Sequence, residues 1–478
     1  MGSSVDTVAD GTGRAEAPAE NRRRWRALML LSAAQFMLVL DVTVVAVALP
    51  EIAVDLRLDR AALTWVVSAY TLFFGGFMLV GGRLADLFGA RRIAMTGLAT
   101  FTAASLVAGL AGGAEMLLAG RVGQGVGAAL LSPAALSLVI VTFRGAERAK
   151  ALGVWSALGG TGAAVGVLLG GVLTAGPGWP WVFYINVPIG LAVLAALPFT
   201  VPPQRGERPR AHVDVPGAVT VTTATALLIY GLISAGDHGV TAAATLGPLA
   251  AAALLYTGFV LLQRTVPSPL MDMRLLARRP VVAGAVLMLV ATGVLVASFF
   301  LGSFYLQHMH GFDALTTGLL FLPVAGATII GAQASSRAIA HIGPRAVAPL
   351  GLAIAAAGSA APAIWPGATA LVAGISVAAL GLGATFVAAF TTATAQVNHH
   401  EAGLTSGIVN TFHELGGAIG VAVVSSIAAA SITATDSDPA GFVDGFTVTA
   451  VAAAVVAGLA LLLVPSAKPP VGAQAHAH

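Results

Sequence analysis

Residues 27–49 form an apolar run whose only charged member is Asp41, and thirteen further runs of spanning length follow it along the chain. At ~1.5 Å rise per residue, a helix of ~20 such residues crosses the ~30 Å of hydrocarbon in a bilayer. Backbone polar groups find no water there, so the runs must be helices or strands of a closed barrel, and they are too long for barrel strands of ~10 residues. The composition agrees. The chain is 57% hydrophobic and 9% charged, whereas soluble domains carry about 25% charged residues. Its 57 glycines suit helices that approach each other closely. The expected fold is therefore all-α and integral to the membrane.

The remaining runs lie near 64–82, 93–112, 116–138, 151–174, 182–200, 215–234, 241–263, 280–304, 315–339, 345–364, 368–391, 403–429 and 443–465. Residues 1–26 read as a polar, disordered tail and 27–200 as a six-helix bundle. A linker with two inserted helices fills 201–279, a second six-helix bundle fills 280–465, and 466–478 is a polar tail. The first run is too long for a signal-peptide core and is expected to stay in the mature chain. Among the 24 Lys and Arg, all but Arg57, Arg60 and Arg121 fall on the side of the N-terminus when the segments between spans are assigned to alternate faces. The positive-inside rule then puts both termini in the cytoplasm of a multi-pass inner-membrane protein. The formal net charge of +3 follows from that topology, and no nucleic-acid partner is expected.

The two bundles repeat each other. Arg83, Gly89 and Arg91 recur as Arg337, Gly343 and Arg345, and Gly162 and Gly166 recur as Gly416 and Gly420, always 254 residues later. Repeated halves are how many secondary transporters build a central site that opens to alternate sides.

Few residues in the spans carry charge. Asp41 lies about eight residues inside the outer end of the first run, where an acid costs ~2.5–3.5 kcal/mol. It reads either as a proton carrier or as a structural acid paired with an arginine. Glu414 is the second deep acid and His413 adjoins it; neighbours on a helix diverge by about 100°, so only one of the two faces a central cavity, and Glu414 is the expected one. Arg121, in Gly120-Arg121-Val122-Gly123-Gln124-Gly125, is open to a functional role among close-packing glycines or to snorkelling toward the interface. Between the second and third runs, Gly82 to Arg92 offers a turn at Gly89 and an acid, Asp86, that can latch to a helix end or to an arginine of another span. The fifth run holds Gly153, Gly162, Gly166, Gly170 and Gly171, a face on which another helix can slide, although such a run alone means only packing.

These segments together resemble the major facilitator superfamily, in its drug:proton antiporter branch with fourteen spans. Asp41 to Pro50 is similar to the first-span signature, Gly82 to Arg92 to the cytoplasmic-loop motif, Arg121 to Gly127 to the proton-transfer motif, the glycines of the fifth run to the antiporter motif, and Trp181 to Gly190 to the start of the sixth span. The sequence departs from the pattern at Gly166-Val167, where a Gly-Pro step is usual, at Ala46 for an Asn, and at Ala340, where the second loop copy lacks its acid. The resemblance implies that Asp41 and Glu414 relay protons, that Arg121 tunes them, and that Gly82, Asp86, Gly89, Arg91 and Arg92 control closure.

The expected activity is proton-coupled antiport that exports small hydrophobic compounds, cationic ones among them, of the drug or antibiotic type. Trp65, Tyr70, Phe73, Phe74 and Trp155 are candidates for contact with such compounds, each equally readable as packing or lipid-facing. The expected partners are the lipophilic substrate, protons and the bilayer, and the chain is expected to act as a monomer. With no GxxxxGK[ST] phosphate loop the driving force is a gradient, and no cofactor is expected. There is no Cys, and the histidine pairs His308/His310 and His399/His400 are too sparse for a metal centre. A membrane enzyme is thus a remote alternative, while a proton-coupled uptake symporter or an exporter of one endogenous metabolite remains open.

Overall fold

A computed structural model of the chain describes residues 18–143, 147, 151, 154, 162, 165–202, 214–267, 269–270, 273–395, 402–429, 431 and 439–465, the side chains of 18–20, 86 and 402–404 excepted. The first block comprises α1 (Pro18–Asp55), α2 (Arg60–Phe88), α3 (Ala90–Gly109), α4 (Ala114–Thr142), α5 (Val165–Ala175) and α6 (Trp181–Thr200). Then come the inserted pair α7 (Val215–His238) and α8 (Ala243–Thr265). The second block is α9 (Arg279–Phe304), α10 (Ala314–Ile342), α11 (Pro344–Ile364), α12 (Ala368–Thr394), α13 (Ala402–Ile427) and α14 (Ala440–Leu463). Thirteen helices among the described residues are long and apolar enough to cross a membrane; α5 is the described part of the remaining expected span. The chain is an all-helical membrane protein.

The helices outrun the apolar stretches that announce them, because a helix leaving the hydrocarbon still satisfies its own backbone and needs no apolar side chains to continue. The largest difference is at the start. The segment expected to be disordered up to residue 26 is helical from Pro18. Arg23 Nε donates to the Thr200 carbonyl at the end of α6 (3.1 Å), and Arg24 pairs with Glu147 at 3.1 Å. Both contacts supply what a free arginine-rich tail lacks: an orphan helix-end carbonyl and a carboxylate.

The duplication is visible in the packing. In the first block a Cβ on Gly97 of α3 would come within 2.7 Å of the Gly127 carbonyl of α4; in the second, Gly351 of α11 meets the Gly381 carbonyl of α12 at the same 2.7 Å. Each pair lies 254 residues from its counterpart. Gly89 and Gly343, which join α2 to α3 and α10 to α11, both have positive φ, +91° and +75°, where an L side chain is strained. Gly162 and Gly166 lie against α1, and their counterparts Gly416 and Gly420 against α9.

The face that bears Arg22, Arg91 and Arg345 is here the basic face; the opposite one, bearing Glu51, Asp59 and Asp313, is the acidic face. The blocks meet along α2 and α13, where a Cβ on Gly75 would lie 2.8 Å from that of Glu414. Toward the acidic face they meet again. Gly171 of α5 packs on the Ala314 carbonyl of α10, and Gln307 Nε2, on the π-helical turn Tyr305–Met309 that ends α9, donates to the Val47 carbonyl at 3.0 Å. The inserted hairpin is held together by Thr225 and Tyr256 (2.7 Å) and by Gln263 on Asp214. Its α7 lies over the seam, touching both α2 and α13.

Candidate functional site

Asp41 and Arg121 meet deep inside the first block, 0% and 1% exposed. Asp41 is carried by α1 roughly 20 Å of helix from Asp55, and Arg121 by the second turn of α4. Arg121 Nη1 donates to Asp41 Oδ2, and Gln124 Nε2 (2.8 Å) and Asn186 Nδ2 (3.2 Å) donate to Oδ1. Gln124 is one helical turn from Arg121, so their side chains share a face, and its Oε1 accepts from Arg121 Nη1 at 2.9 Å. The guanidinium also donates through Nε to the Val66 carbonyl of α2 (2.8 Å) and stands 4.5 Å from the centre of the Tyr70 ring. Ser105 of α3 completes the cluster, receiving Gln124 Nε2 at 2.9 Å and Asn186 Nδ2 at 3.5 Å. Five helices thus close over one carboxylate.

Two buried opposite charges that share several hydrogen bonds hold each other in place, and removal of either leaves the other uncompensated. Arg121 is not snorkelling; its charge faces the protein interior. The arrangement surrounds the buried carboxylate with donors, and it joins α1, α2, α3, α4 and α6 through one titratable group. α5 lies against the same stretch of α1: a Cβ on Gly166 would meet Thr43 Oγ1 at 2.0 Å and the Leu40 carbonyl at 3.0 Å. The glycines of α5 therefore bring its backbone alongside Asp41 and, through Gly171, into contact with the second block.

Glu414 lies apart from this cluster, half-buried on α13 against Gly75, and among the described residues it makes no hydrogen bond or ion pair. His413 points elsewhere, its Nδ1 2.7 Å from Thr292 Oγ1 and its ring 5.6 Å from Phe386. The divergence expected of helical neighbours thus takes Glu414 to the seam between the blocks and His413 into the second block. At the acidic face a cavity of about 660 Å³ opens between the blocks, lined by Glu51, Asp55, Trp179, Gln307, His308 and Asp313. Hydrogen bonds from Thr316 hold the Asp313 carboxyl below its ordinary range.

The aromatic candidates do not line one cavity. Tyr70 is fully buried beneath Arg121, its hydroxyl donating to the Leu38 carbonyl (3.3 Å), and Phe74 packs on it at 5.7 Å. Trp65 and Phe73 turn the other way, to Ile229 and Ile233 of α7 and Leu415 of α13. A single helix, α2, is clamped on both sides, which splits its aromatics between two packed interfaces. Trp155 and Gly153 lie outside the described residues, as does the side chain of Asp86; Gly82, Arg91 and Arg92 lie on α2 and α3 on either side of the Gly89 turn. Sequence reasoning did not single out Gln124, Ser105 or Asn186 as partners of Asp41. Only Gln124 carried a local signal, its three-residue spacing from Arg121.

The chain matches the Major Facilitator Superfamily over residues 31–421. It is similar to the lincomycin resistance protein of Streptomyces lincolnensis (36% identity, covering 96% of this chain and 95% of that one) and to a puromycin resistance protein of Streptomyces alboniger (37%, 88% and 86%). It is also 37% identical to a cephamycin export protein of Amycolatopsis lactamdurans, over 84% of each. Among solved structures it resembles a bacterial homologue of the human lysosomal transporter Spinster (TM-score 0.65, 18% identity, 92% of this chain and 96% of that one) and a nucleoside transporter (TM-score 0.65, 12%, 92% and 100%).

Proposed function

The chain belongs to the Major Facilitator Superfamily, and from that membership we propose that it is a proton-coupled antiporter exporting small hydrophobic compounds, antibiotics among them, by alternating access. It is a membrane transporter rather than an enzyme. The direction and substrate class rest on its relatives, which are named for resistance to, or export of, antibiotics. Proton coupling rests on one observation: a carboxylate, Asp41, buried with Arg121 at membrane depth, in a network spanning five helices of the first block.

In this reading the basic face and both termini are cytoplasmic, and the protein sits in the inner membrane as a monomer whose two bundles enclose the pathway. Protonation of Asp41 cancels its charge and weakens its hold on Arg121, which frees α1 and α4 to shift; loss of the proton restores the pair. Glu414, with no partner at the seam among the described residues, is suited to receive the charge of a cationic substrate and to exchange it for a proton. The proton gradient then drives export, with no cofactor.

Inverted membrane vesicles with a pH probe inside test this. Once energised and challenged with a panel of lipophilic antibiotics, they are expected to lose protons in response to a compound, and the Asp41→Asn variant is expected not to. A response unchanged in Asp41→Asn overturns the role of Asp41. The missing Gly-Pro step at Gly166-Val167 favours a second reading, proton-coupled uptake, which counterflow in the opposite direction would reveal.

A further inference from the structure

Among the described residues, every hydrogen-bond partner of the Asp41 carboxylate is a donor. Arg121 Nη1 faces Oδ2, and the amide nitrogens of Gln124 and Asn186 face Oδ1. Three donors suit a carboxylate and leave no acceptor for the hydrogen of a carboxylic acid. A proton placed on Oδ1 would point at an N–H, so the hydrogen of a carboxylic acid here finds a partner when a neighbour changes from donor to acceptor. Only an amide can do so without leaving, by a half turn that exchanges its oxygen and nitrogen.

The two amides differ in their freedom to turn. Gln124 is fixed at both ends: its Oε1 receives Arg121 Nη1 at 2.9 Å, and its Nε2 serves both Asp41 and Ser105. Turning it would aim N–H groups at a guanidinium. Asn186 is 0% exposed, and its buried Oδ1 has no hydrogen-bond partner among the described residues. It loses nothing on the oxygen side by turning. On the other side its Nδ2 lies 3.2 Å from Asp41 Oδ1 and 3.5 Å from Ser105 Oγ, so the turned oxygen would accept from the carboxylic acid and from the Ser105 hydroxyl.

The geometry points to Asn186 as the residue that reads the proton on Asp41: its amide donates to the carboxylate and, after a half turn, accepts from the acid. This inference rests on the antiport reading above and supplies its missing acceptor. No bond changes except the Oδ1–H bond, which forms as the proton arrives and breaks as it leaves. The turn moves the amide N–H groups to the side that now has no partner, so the turned state lasts only while the proton is present. Asn186 stands in the second turn of α6, whose far end holds Arg23 of α1 through the Thr200 carbonyl. The amide thus ties the protonation of α1 to the position of α6.

The other charged or titratable groups around Asp41 are Arg121 on α4, Tyr70 on α2 and, across α2, Glu414 on α13. α3, α5 and α6 bring no charge against it among the described residues. If Asn186 served only as a donor, replacing it with Leu would remove support from the carboxylate and move the midpoint of Asp41 protonation to higher pH. If it also serves as the acceptor of the acid, Asn186→Leu takes one of three donors from the carboxylate, which keeps Arg121 and Gln124, but takes from the acid the one acceptor the turned amide supplies, so the larger loss falls on the acid and the midpoint moves down, by about one pH unit, a tenfold change in proton activity.

Infrared difference titration of the full chain in liposomes reads this without transport. The carboxylic C=O band of Asp41 is assigned by its loss in Asp41→Asn. A wild-type protein with no such band would sink the antiport reading itself. A band that titrates in Asn186→Leu at the wild-type midpoint or above it would overturn the inference about Asn186 alone. Asn186→Ala, which adds no bulk, reads the same sign should Leu disturb insertion. Asn186→Asp, an acceptor able to share the proton, is expected to move the midpoint up.

Discussion

Arg60, the first residue of α2, is paired at 2.5 Å with Asp237 near the end of α7. The same Arg60 nitrogen reaches the Ile233 carbonyl at 2.9 Å, and the other terminal nitrogen reaches Ser425 of α13 at 3.3 Å. Ser426 of α13 in turn donates to the Leu232 carbonyl of α7. The inserted hairpin is therefore fastened to both blocks at the acidic face, across the seam that must part when a transporter of this architecture opens there. The arginine itself is 4% exposed.

Arg60→Met takes a donor from three acceptors across the seam, of which Ser425 keeps Thr64 Oγ1 and Asp237 is 40% exposed, so the tie between the hairpin and the two blocks is cut. The variant is expected to open more readily at the acidic face. Because the chain has no Cys, a single cysteine at Ser68, which bridges the same seam to the Ala418 carbonyl (3.2 Å), reports this by its rate of labelling with an impermeant thiol reagent. Labelling should quicken in Arg60→Met, and less in Asp237→Asn, because Asp237 is 40% exposed and its half of the pair is screened. Equal rates in all three would mean that the hairpin does not restrain opening.

Asp41→Asn leaves Arg121 buried opposite an amide, and breaking a buried pair by removing one partner costs roughly 3–5 kcal/mol. Its thermal midpoint should fall below that of the wild type. Adding Arg121→Gln removes the uncompensated charge and should restore much of the stability without restoring proton movement. A double variant as unstable as the single one would mean that the charge itself is not what destabilises Asp41→Asn. The comparison also separates lost coupling from lost fold, which the single variant confounds.

The architecture was legible because its causes are local. An apolar run of spanning length becomes a helix whatever surrounds it, and the glycine turns at Gly89 and Gly343 recur because the two blocks are copies. The site was legible only where a residue is costly on its own account: Asp41, Arg121 and Glu414 each put charge into lipid-depth helices. Their partners are ordinary polar residues. Ser105 and Asn186 meet Asp41 only because α3 and α6 close on α1, a long-range fact with no local trace. Arg60 was read as a loop residue by its place between apolar runs; its burial depends on the hairpin folding back over the seam. The aromatics of α2 were legible by type but not by facing, which is set by the two helices that flank α2.

Gly166 packs α5 against Leu40 and Thr43, on either side of Asp41 along α1. Gly166→Ala drives a methyl group into Thr43 Oγ1, which is itself held by the Leu40 carbonyl at 3.1 Å, and overpacking of this kind costs typically ~1–3 kcal/mol. Transport should fall and the purified protein should melt earlier. Thr43→Ala removes the tightest of these contacts and leaves the Leu40 carbonyl at 3.0 Å, so the double variant is expected to recover part of the stability and of the transport rate. Recovery of stability without transport would instead assign Thr43 a part in the pathway beyond packing.

Glu414 has no hydrogen-bond or ion-pair partner among the described residues, so Glu414→Gln removes a charge and breaks no contact. Folding and thermal stability should stay close to wild type. What changes is the ability of the seam to hold a cation: an acid that neutralises a cationic substrate in a low-dielectric cavity favours it over a neutral analogue, and a difference of ~1.4 kcal/mol is already tenfold in affinity. Export of a permanently cationic lipophile should therefore drop at least roughly tenfold in Glu414→Gln, while export of an uncharged substrate of similar size persists. Parallel efflux measurements with the two compounds in the same cells decide it. Equal losses for both would make Glu414 a general coupling residue on a par with Asp41, and no loss for either would remove it from the transport cycle.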